Sequence, residues 1–465
     1  MPEALKERSE IQEQYKWDLT RMYADDAAWE KALDAFDAQL QALAAYAGKL
    51  NTAAGLRAWF DAQTRAERTL SDLFCYASLR RSEDTRAEAA QVMYARAMAK
   101  YVQYGETAAF AEPEILALPE ETLKAFLEDS QLAPYRFLME NLLRRKPHTL
   151  SAAEEQLLAS FGEVISAPGE ISDNLQDADL VFDPVTDSQG GQVEVTGSNY
   201  ILLQSSTDRT LRQNAFRSYY KGYRQHINTF AATYSANVKA AAAEARARHY
   251  ESSRAMSMAG ENIPASVYDN LVATVRKHLP AMYRYVALRK KILGVDELHY
   301  YDVYAPLMPD SEARYTYEQA QQMVLDAVAP LGEDYVEQVK KAFATRWIDV
   351  YPNRGKSGGA YSSGSYDSDP YILTNFTGTL DSVSTIAHEM GHSMHTWHSN
   401  HAQPPQYAGY TLFVAEVAST VNENLMIEQL LKKEQEPHAR LALLNQYLEN
   451  FKGTVYRQTM FAEFE

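Results

Sequence analysis

The chain has 465 residues, of which 46% are hydrophobic and 23% are charged, a balance typical of a soluble globular protein and not of a disordered or fibrous one. Its formal net charge of −17 repels phosphate backbones and anionic lipid, which argues against nucleic acid or a membrane as a partner. The single cysteine, Cys75, cannot form an internal disulfide. The chain begins without a basic and then apolar leader and has no long apolar run, so we expect a cytoplasmic protein. Oligomeric state is left open by the sequence.

Helical periodicity dominates the first part of the chain. From Asp25 onward, apolar residues recur at alternating steps of four and three, as on one buried stripe of a helix, at Trp29, Leu33, Phe36, Leu40 and Leu43. Similar patterns run through 56–79 and 87–110, and Ser151 with Glu154 has the form of a capping box. These patterns predict a helical lobe at the start of a mainly α protein.

The character of the sequence changes after about residue 177. Two short apolar runs, 180–182 and 193–195, flank the turn-forming residues 187–191, which predicts a hairpin. Helical periodicity then resumes. We therefore predict a domain division here, with an N-terminal helical lobe at 1–185 and a second domain at 186–465.

A glycine- and serine-rich segment with a β-prone run follows near residue 355. Residues 355–357 are half of a phosphate-binding loop, but Val350 stands where its first glycine belongs and no helix follows, so an NTPase is rejected. The segment predicts strand and loop. An exposed edge in it could pair with the backbone of an extended peptide, and the alternative is an ordinary loop. Its candidate contact residues are Gly358, Gly359, Ala360 and Tyr361.

Five of the eleven histidines fall within residues 388–401. His388 and His392 stand four residues apart, so on a helix both imidazoles lie on one face and can hold one zinc ion. Glu389 would project beside the metal, where it can take a proton from zinc-bound water, whose pKa the metal lowers toward about 7. The preceding residues offer Asp381 or a serine as a helix cap. The sequence thus predicts a zinc helix with Glu389 as general base.

Two residues compete to be the third ligand. His398 has the spacing of the metzincin pattern, but that scheme needs a glycine where His395 stands. On a continuing helix His398 lies about 240° around the axis from His392 and faces away from the metal. Glu416 follows a proline-containing loop at 400–409 and can face the histidines from a second helix, completing a His₂Glu set.

Further side chains near the predicted ligands are candidates for supporting roles. The apolar residues around Glu416, which include Phe413 and Val417, suggest that its carboxylate needs a partner. Glu423, two turns after Glu416, could accept a hydrogen bond from a ligand imidazole, although a plain surface carboxylate is the equal alternative. His395 shares the metal-facing side of its helix and is a candidate orienting or substrate-facing group.

The sequence resembles the oligoendopeptidase F family, within the thimet-oligopeptidase-like zinc metallopeptidases. The segments that carry the resemblance are 17–19, 346–349, 355–362, 388–395 and 413–420, and the likeness spans essentially the whole chain. It implies an elongated multi-helix ellipsoid with a substrate channel and a small β-sheet beside the zinc-binding helix. It also implies one Zn²⁺ per chain, a catalytic domain at 186–465 and cleavage of internal bonds in short cytoplasmic peptides.

One departure from the family pattern concerns the end of the chain. Family members continue further and carry a histidine and tyrosines that hydrogen-bond the oxyanion, whereas residues 460–465 end within a helical pattern that has no C-cap signal. This pattern predicts a truncated chain. Each lost oxyanion donor would cost about 10²–10³ in rate. The alternative is therefore a catalytically impaired zinc- or peptide-binding protein.

Overall fold

The computed structural model describes residues 5–308 and 314–465, and the protein is mainly helical, as the sequence predicts. In these two ranges no helix is both long enough and apolar enough to cross a membrane. The helices in chain order are α1 (Asp26–Ala44), α2 (Ala53–Glu83), α3 (Glu88–Ala108), α4 (Ala111–Leu116), α5 (Glu120–Glu128), α6 (Arg136–Arg145), α7 (Ala152–Ser160), α8 (Gly162–Asn174), α9 (Tyr200–Gln204), α10 (Arg209–Gln225), α11 (Ile227–Ala247), α12 (Ser253–Gly260), α13 (Ala265–Leu293), α14 (Tyr317–Val328), α15 (Glu333–Ala344), α16 (Leu380–Ala402), α17 (Pro405–Ala408), α18 (Leu412–Lys433), α19 (Pro437–Phe451) and α20 (Gln458–Phe464).

Within the described ranges, five short strands form two small sheets. The strands are β1 (Val185–Thr186), β2 (Gln192–Val193), β3 (Ile348–Asp349), β4 (Tyr361–Ser363) and β5 (Tyr371–Leu373). β1 and β2 form an antiparallel hairpin. In the other sheet β5 lies in the middle, parallel to β3 and antiparallel to β4, with Ser362 opposite Ile372.

The chain divides into two compact units, each made of two segments. Unit 1 comprises Met1–Lys146 and Ala313–Lys433, and unit 2 comprises Pro147–Glu312 and Glu434–Glu465. The predicted division into an N-terminal helical lobe at 1–185 and a second domain at 186–465 stays a prediction.

The helix and hairpin predictions are confirmed where the structure describes them. Asp25 caps α1 by accepting a hydrogen bond from the Ala28 N–H at 2.8 Å, and the whole predicted stripe is buried. The Ser151 and Glu154 capping box precedes α7. The hairpin closes at 187–191, but the run 180–182 stays outside the ladder, which begins at Val185.

Unit 1 contains two hydrophobic cores that meet at strand β5. Tyr371 and Leu373 belong to the core built on α1 and α2, whereas Ile372 belongs to the core built on α14, α15 and α16. Alternate side chains of a strand point to opposite faces, so this fully buried strand contributes side chains to both cores. The sheet therefore holds α16 firmly from one side.

A buried charged cluster holds the loop that joins β3 to β4. Lys356 is 0% exposed, and its Nζ donates to the carbonyl oxygens of Tyr351 at 2.8 Å and Thr374 at 2.6 Å. It also lies 2.7 Å from Oδ1 of Asp349, whose Oδ2 receives a hydrogen bond from Arg8 at 2.6 Å. Burial alone would raise the pKa of Asp349, but the two cations outweigh it and hold that pKa below its usual range. This lysine is buried and its ammonium group is bonded to protein oxygens, as a structural role requires.

Lys356→Met is expected to lower the free energy of unfolding by about 3 kcal/mol, because it leaves buried carbonyls and a buried carboxylate short of a partner. Urea denaturation measures the change. The matched control is Lys432→Met, which breaks an exposed ion pair with Glu428 and should cost less than about 0.5 kcal/mol. Equal losses in the two variants would contradict a stabilising role for the buried cluster.

Candidate metal centre

Helix α16 carries the histidine motif, as the sequence predicts. Its cap is Thr379, whose hydroxyl accepts a hydrogen bond from the Ser382 N–H at 3.2 Å. The predicted caps, Asp381 or a serine, are wrong, since the helix already begins at Leu380 and these residues lie inside it. The helix packs on the sheet, where the Ser362 and Ser393 hydroxyls lie 2.8 Å apart. The motif is thus held on a rigid element.

Helix α18 crosses α16 with almost no space between the two backbones. A Cβ atom on Gly391 would lie 2.6 Å from the Cα of Ser419 and 2.7 Å from the carbonyl oxygen of Ala418. Real Cβ atoms do not come that close to backbone atoms, so only glycine permits this approach. The loop between the helices is shorter than predicted, because α16 runs to Ala402 and α17 forms a turn inside the loop.

This close crossing brings three potential metal donors to one point. Nε2 of His388 and Nε2 of His392 lie 3.1 Å apart. Oε2 of Glu416 lies 3.4 Å from each of them. In the described part of the chain, these three residues form the group of histidine, cysteine and acidic side chains that could hold a metal ion.

The donor triangle fits a zinc ion in both size and chemistry. Catalytic zinc takes imidazole nitrogens and a carboxylate oxygen at about 2.0–2.2 Å in tetrahedral geometry, which places donor atoms about 3.3–3.5 Å apart. The two edges of 3.4 Å fall within that spacing, and the edge of 3.1 Å between the two imidazole nitrogens is slightly shorter. A carboxylate and two imidazoles are also the His₂Glu donor set of many catalytic zinc sites.

Residues of α18 orient both histidines. Nδ1 of His388 donates to Oε1 of Glu423 at 2.6 Å, which leaves Nε2 unprotonated and able to bind a metal. Burial lowers the pKa of His388, but this bond and nearby carboxylates outweigh burial and leave the pKa raised. His392 hydrogen-bonds the backbone carbonyl of Ala415, and burial lowers its pKa. The orienting role predicted for Glu423 therefore has the geometry it requires.

Glu389 is buried beside the donors without being one of them. Its side chain is on the sheet-facing side of α16, where it accepts a hydrogen bond from the backbone N–H of Ser362. Burial raises the pKa of Glu389 to about 7, with Glu416 and Glu423 adding to the rise and His388 opposing it. A carboxylate whose pKa is near neutrality can both accept and return a proton.

The remaining predicted residues of α16 lie outside the donor triangle. His398 is exposed, and its ring lies near those of Trp397 and Tyr335. His395 stacks on Tyr410 at 3.6 Å between ring centroids, and burial lowers its pKa. The stack places His395 against the segment before α18, and its orienting or substrate-facing role stays a prediction.

The surroundings of Glu416 differ from the expectation. Phe413 is 61% exposed and Val417 is 59% exposed, so an apolar environment for the carboxylate is wrong. The Glu416 side chain is itself 62% exposed. Its neighbours are the two histidines and the Ser419 hydroxyl, which donates to Oε2 at 2.7 Å.

The predicted peptide-contact segment forms a loop that is held by hydrogen bonds and then an edge strand. Asn375 donates to the carbonyl oxygens of Ser357 at 3.0 Å and Gly359 at 2.9 Å. Gly359 has a φ of +72°, which explains the glycine there, and a Cβ on Gly358 would meet no atom within 4 Å. Tyr361 begins β4, which lies at the edge of its sheet.

Three residues of the site were not predicted from the sequence. Gly391 sets the helix spacing, Ser419 contacts the carboxylate of Glu416, and the carbonyl of Ala415 holds His392. Small residues at Gly391 and Ser419 are a recognisable sign of close helix packing. A backbone carbonyl has no sequence signal at all.

Two family models match this chain. Peptidase family M3 matches residues 202–465, and Oligopeptidase F matches residues 114–182. Group B oligopeptidase PepB of Streptococcus agalactiae is 41% identical over 460 residues, with 98% of this chain and 76% of that protein covered. The chain belongs to peptidase family M3.

Other M3 relatives and solved structures agree with this assignment. Oligopeptidase PepF of Bacillus subtilis is 41% identical over 463 residues, with 99% of this chain and 69% of that protein covered. The crystal structure of oligoendopeptidase-F from Enterococcus faecium superposes with a TM-score of 0.68 at 33% identity, covering 94% of this chain and 74% of that one. A Chlamydophila abortus crystal structure gives a TM-score of 0.89 at 33% identity, covering 99% and 78%.

Gly391→Ala is expected to raise the zinc dissociation constant by at least about tenfold, because the added methyl group pushes Glu416 away from the histidines. Competition with a chromophoric chelator measures it. The matched control is Gly105→Ala, a glycine inside α3 whose added Cβ would meet no atom within 4 Å. Parent-like zinc affinity in Gly391→Ala would contradict the helix-spacing account.

Proposed function

We propose that this M3 peptidase is a cytoplasmic zinc metalloendopeptidase that hydrolyses internal bonds of short peptides. One zinc ion per chain would be held by His388, His392 and Glu416, with Glu389 as the general base and residues 186–465 as the catalytic domain. The donor triangle of two imidazole nitrogens and one carboxylate oxygen carries the proposal, because its edges suit tetrahedral zinc.

The chemistry of the proposed reaction is peptide hydrolysis. Bound zinc would supply a Lewis acid that makes water a better nucleophile and polarises the scissile carbonyl. Glu389 would accept a proton from the attacking water and pass it to the nitrogen of the leaving amine. The burial of Glu389 beside the donor triangle, without being one of the donors, supports this role.

The proposed peptide site is the edge strand β4 together with residues 358–361. An extended peptide that pairs with an edge strand gains main-chain hydrogen bonds without regard to its side chains, which suits varied short substrates. β4 begins at Tyr361, and the Ser362 N–H contacts Glu389. A peptide on this edge would lie beside the proposed base.

Zinc removal is expected to abolish peptide cleavage, and added zinc is expected to restore it. Elemental analysis should find one zinc per parent chain and a large loss in His388→Ala and Glu416→Ala. His398→Ala is the matched control on the same helix and should keep its zinc. Stoichiometric zinc in either ligand variant would remove that residue from the site.

Glu389→Gln is expected to keep zinc and to lower the turnover number by at least about 10²-fold, because an amide cannot accept the proton of water. Cleavage of a short internally quenched peptide measures turnover, and elemental analysis measures zinc. Turnover within a few-fold of the parent would exclude Glu389 as the base.

A further inference from the structure

The proposed metal site has one donor whose side chain is largely exposed. His388 and His392 are partly buried, and each donates a hydrogen bond to a group on α18. The Glu416 side chain, in contrast, is 62% exposed and has three rotatable bonds. Ordering such a side chain costs rotamer entropy. A fixed neighbour is needed to keep its carboxylate on the histidines.

Ser419 is that neighbour. It lies one turn after Glu416 on α18 and is 0% exposed. Its hydroxyl donates to Oε2 of Glu416 at 2.7 Å, and Oε2 is the same oxygen that lies 3.4 Å from both histidine nitrogens. The hydroxyl therefore contacts the very atom that completes the donor triangle.

We propose that Ser419 is a positioning residue that presents Oε2 of Glu416 to the metal. This inference rests on the proposed zinc site. In the metal-free protein the hydrogen bond already favours one carboxylate oxygen and one side-chain rotamer of Glu416. Part of the entropy cost of ordering this side chain is therefore offset before zinc binds. Loss of an orienting partner of this kind typically weakens metal binding by about 10–100-fold.

The same helix then orients all three donors. Glu423 holds His388, the carbonyl of Ala415 holds His392, and Ser419 holds Glu416. The positions 416, 419 and 423 follow the three-and-four spacing of one helix face. α18 thus supplies the groups that orient all three donors, including the two histidines of α16.

Ser419 also has a packing role, which a test must separate from its hydrogen bond. Its Cα lies where α18 meets Gly391, so a larger residue would disturb the helix crossing. Ser419→Ala removes only the hydroxyl and keeps the close approach. Thr420→Ala is the matched control, because the Thr420 hydroxyl donates to the backbone carbonyl of Glu416 and not to its carboxylate.

The experiment measures the zinc dissociation constant of the full chain by competition with a chromophoric chelator. Ser419→Ala should raise this constant about 10–100-fold, whereas Thr420→Ala should change it less than about twofold. The thermal midpoint of the metal-free protein should be the same for the parent and both variants. A dissociation constant for Ser419→Ala within about twofold of the parent would overturn the inference.

A double-mutant cycle shows whether Ser419 acts through Glu416. Zinc affinity is compared between Glu416→Ala and the double variant Glu416→Ala/Ser419→Ala, where we expect no further loss. A loss of zinc affinity that persists without the carboxylate would reflect general packing and would overturn the inference, even if Ser419→Ala is less stable.

A parent protein that binds no zinc would overturn the proposed function as well, whereas zinc binding insensitive to Ser419→Ala would overturn only the role of Ser419.

Discussion

The close crossing of α16 and α18 is the constraint on which the candidate site depends. Two histidines one turn apart are available to any helix, but they offer only two donors. The third donor and all the orienting groups come from α18, and they reach the histidines because Gly391 lets the two backbones approach. The lack of a side chain at Gly391 thus determines the distance between Oε2 of Glu416 and the two imidazoles.

The sheet and its buried charges hold the opposite side of α16. β5 joins the two cores of unit 1, and the Lys356 cluster fixes the loop from β3 to β4. β4 in turn contacts Glu389 through the Ser362 N–H. The base is therefore held by the sheet and the metal donors by α18, so the two halves of the proposed chemistry are fixed by different elements on either side of one helix.

Much of this arrangement could be predicted from the sequence, because it depends on local periodicity. The stripe of α1, the histidine helix and the hairpin at 187–191 each have a pattern of their own. The environment of Glu416 could not be predicted in this way. The apolar residues near it suggested burial, whereas the side chains are exposed on α18, since exposure depends on which face meets α16.

The supporting groups show the same limit. The spacing from Glu416 marks Glu423 as a candidate orienting group, but from sequence alone a plain surface carboxylate is an equal alternative. The 2.6 Å bond to His388 distinguishes the two. Ser419 carries no chemical signature that separates it from the other serines, and the carbonyl of Ala415 carries none at all. Such contacts are set by the crossing of two helices distant in sequence, and only tertiary structure reveals them.

The most direct test of the central claim is the position of the metal in a crystal of the zinc-loaded protein, located by anomalous diffraction at the zinc edge. The account predicts one strong peak at about 2.0–2.2 Å from Nε2 of His388, Nε2 of His392 and Oε2 of Glu416. A peak bound by His398 instead of Glu416, or no peak between α16 and α18, would contradict it.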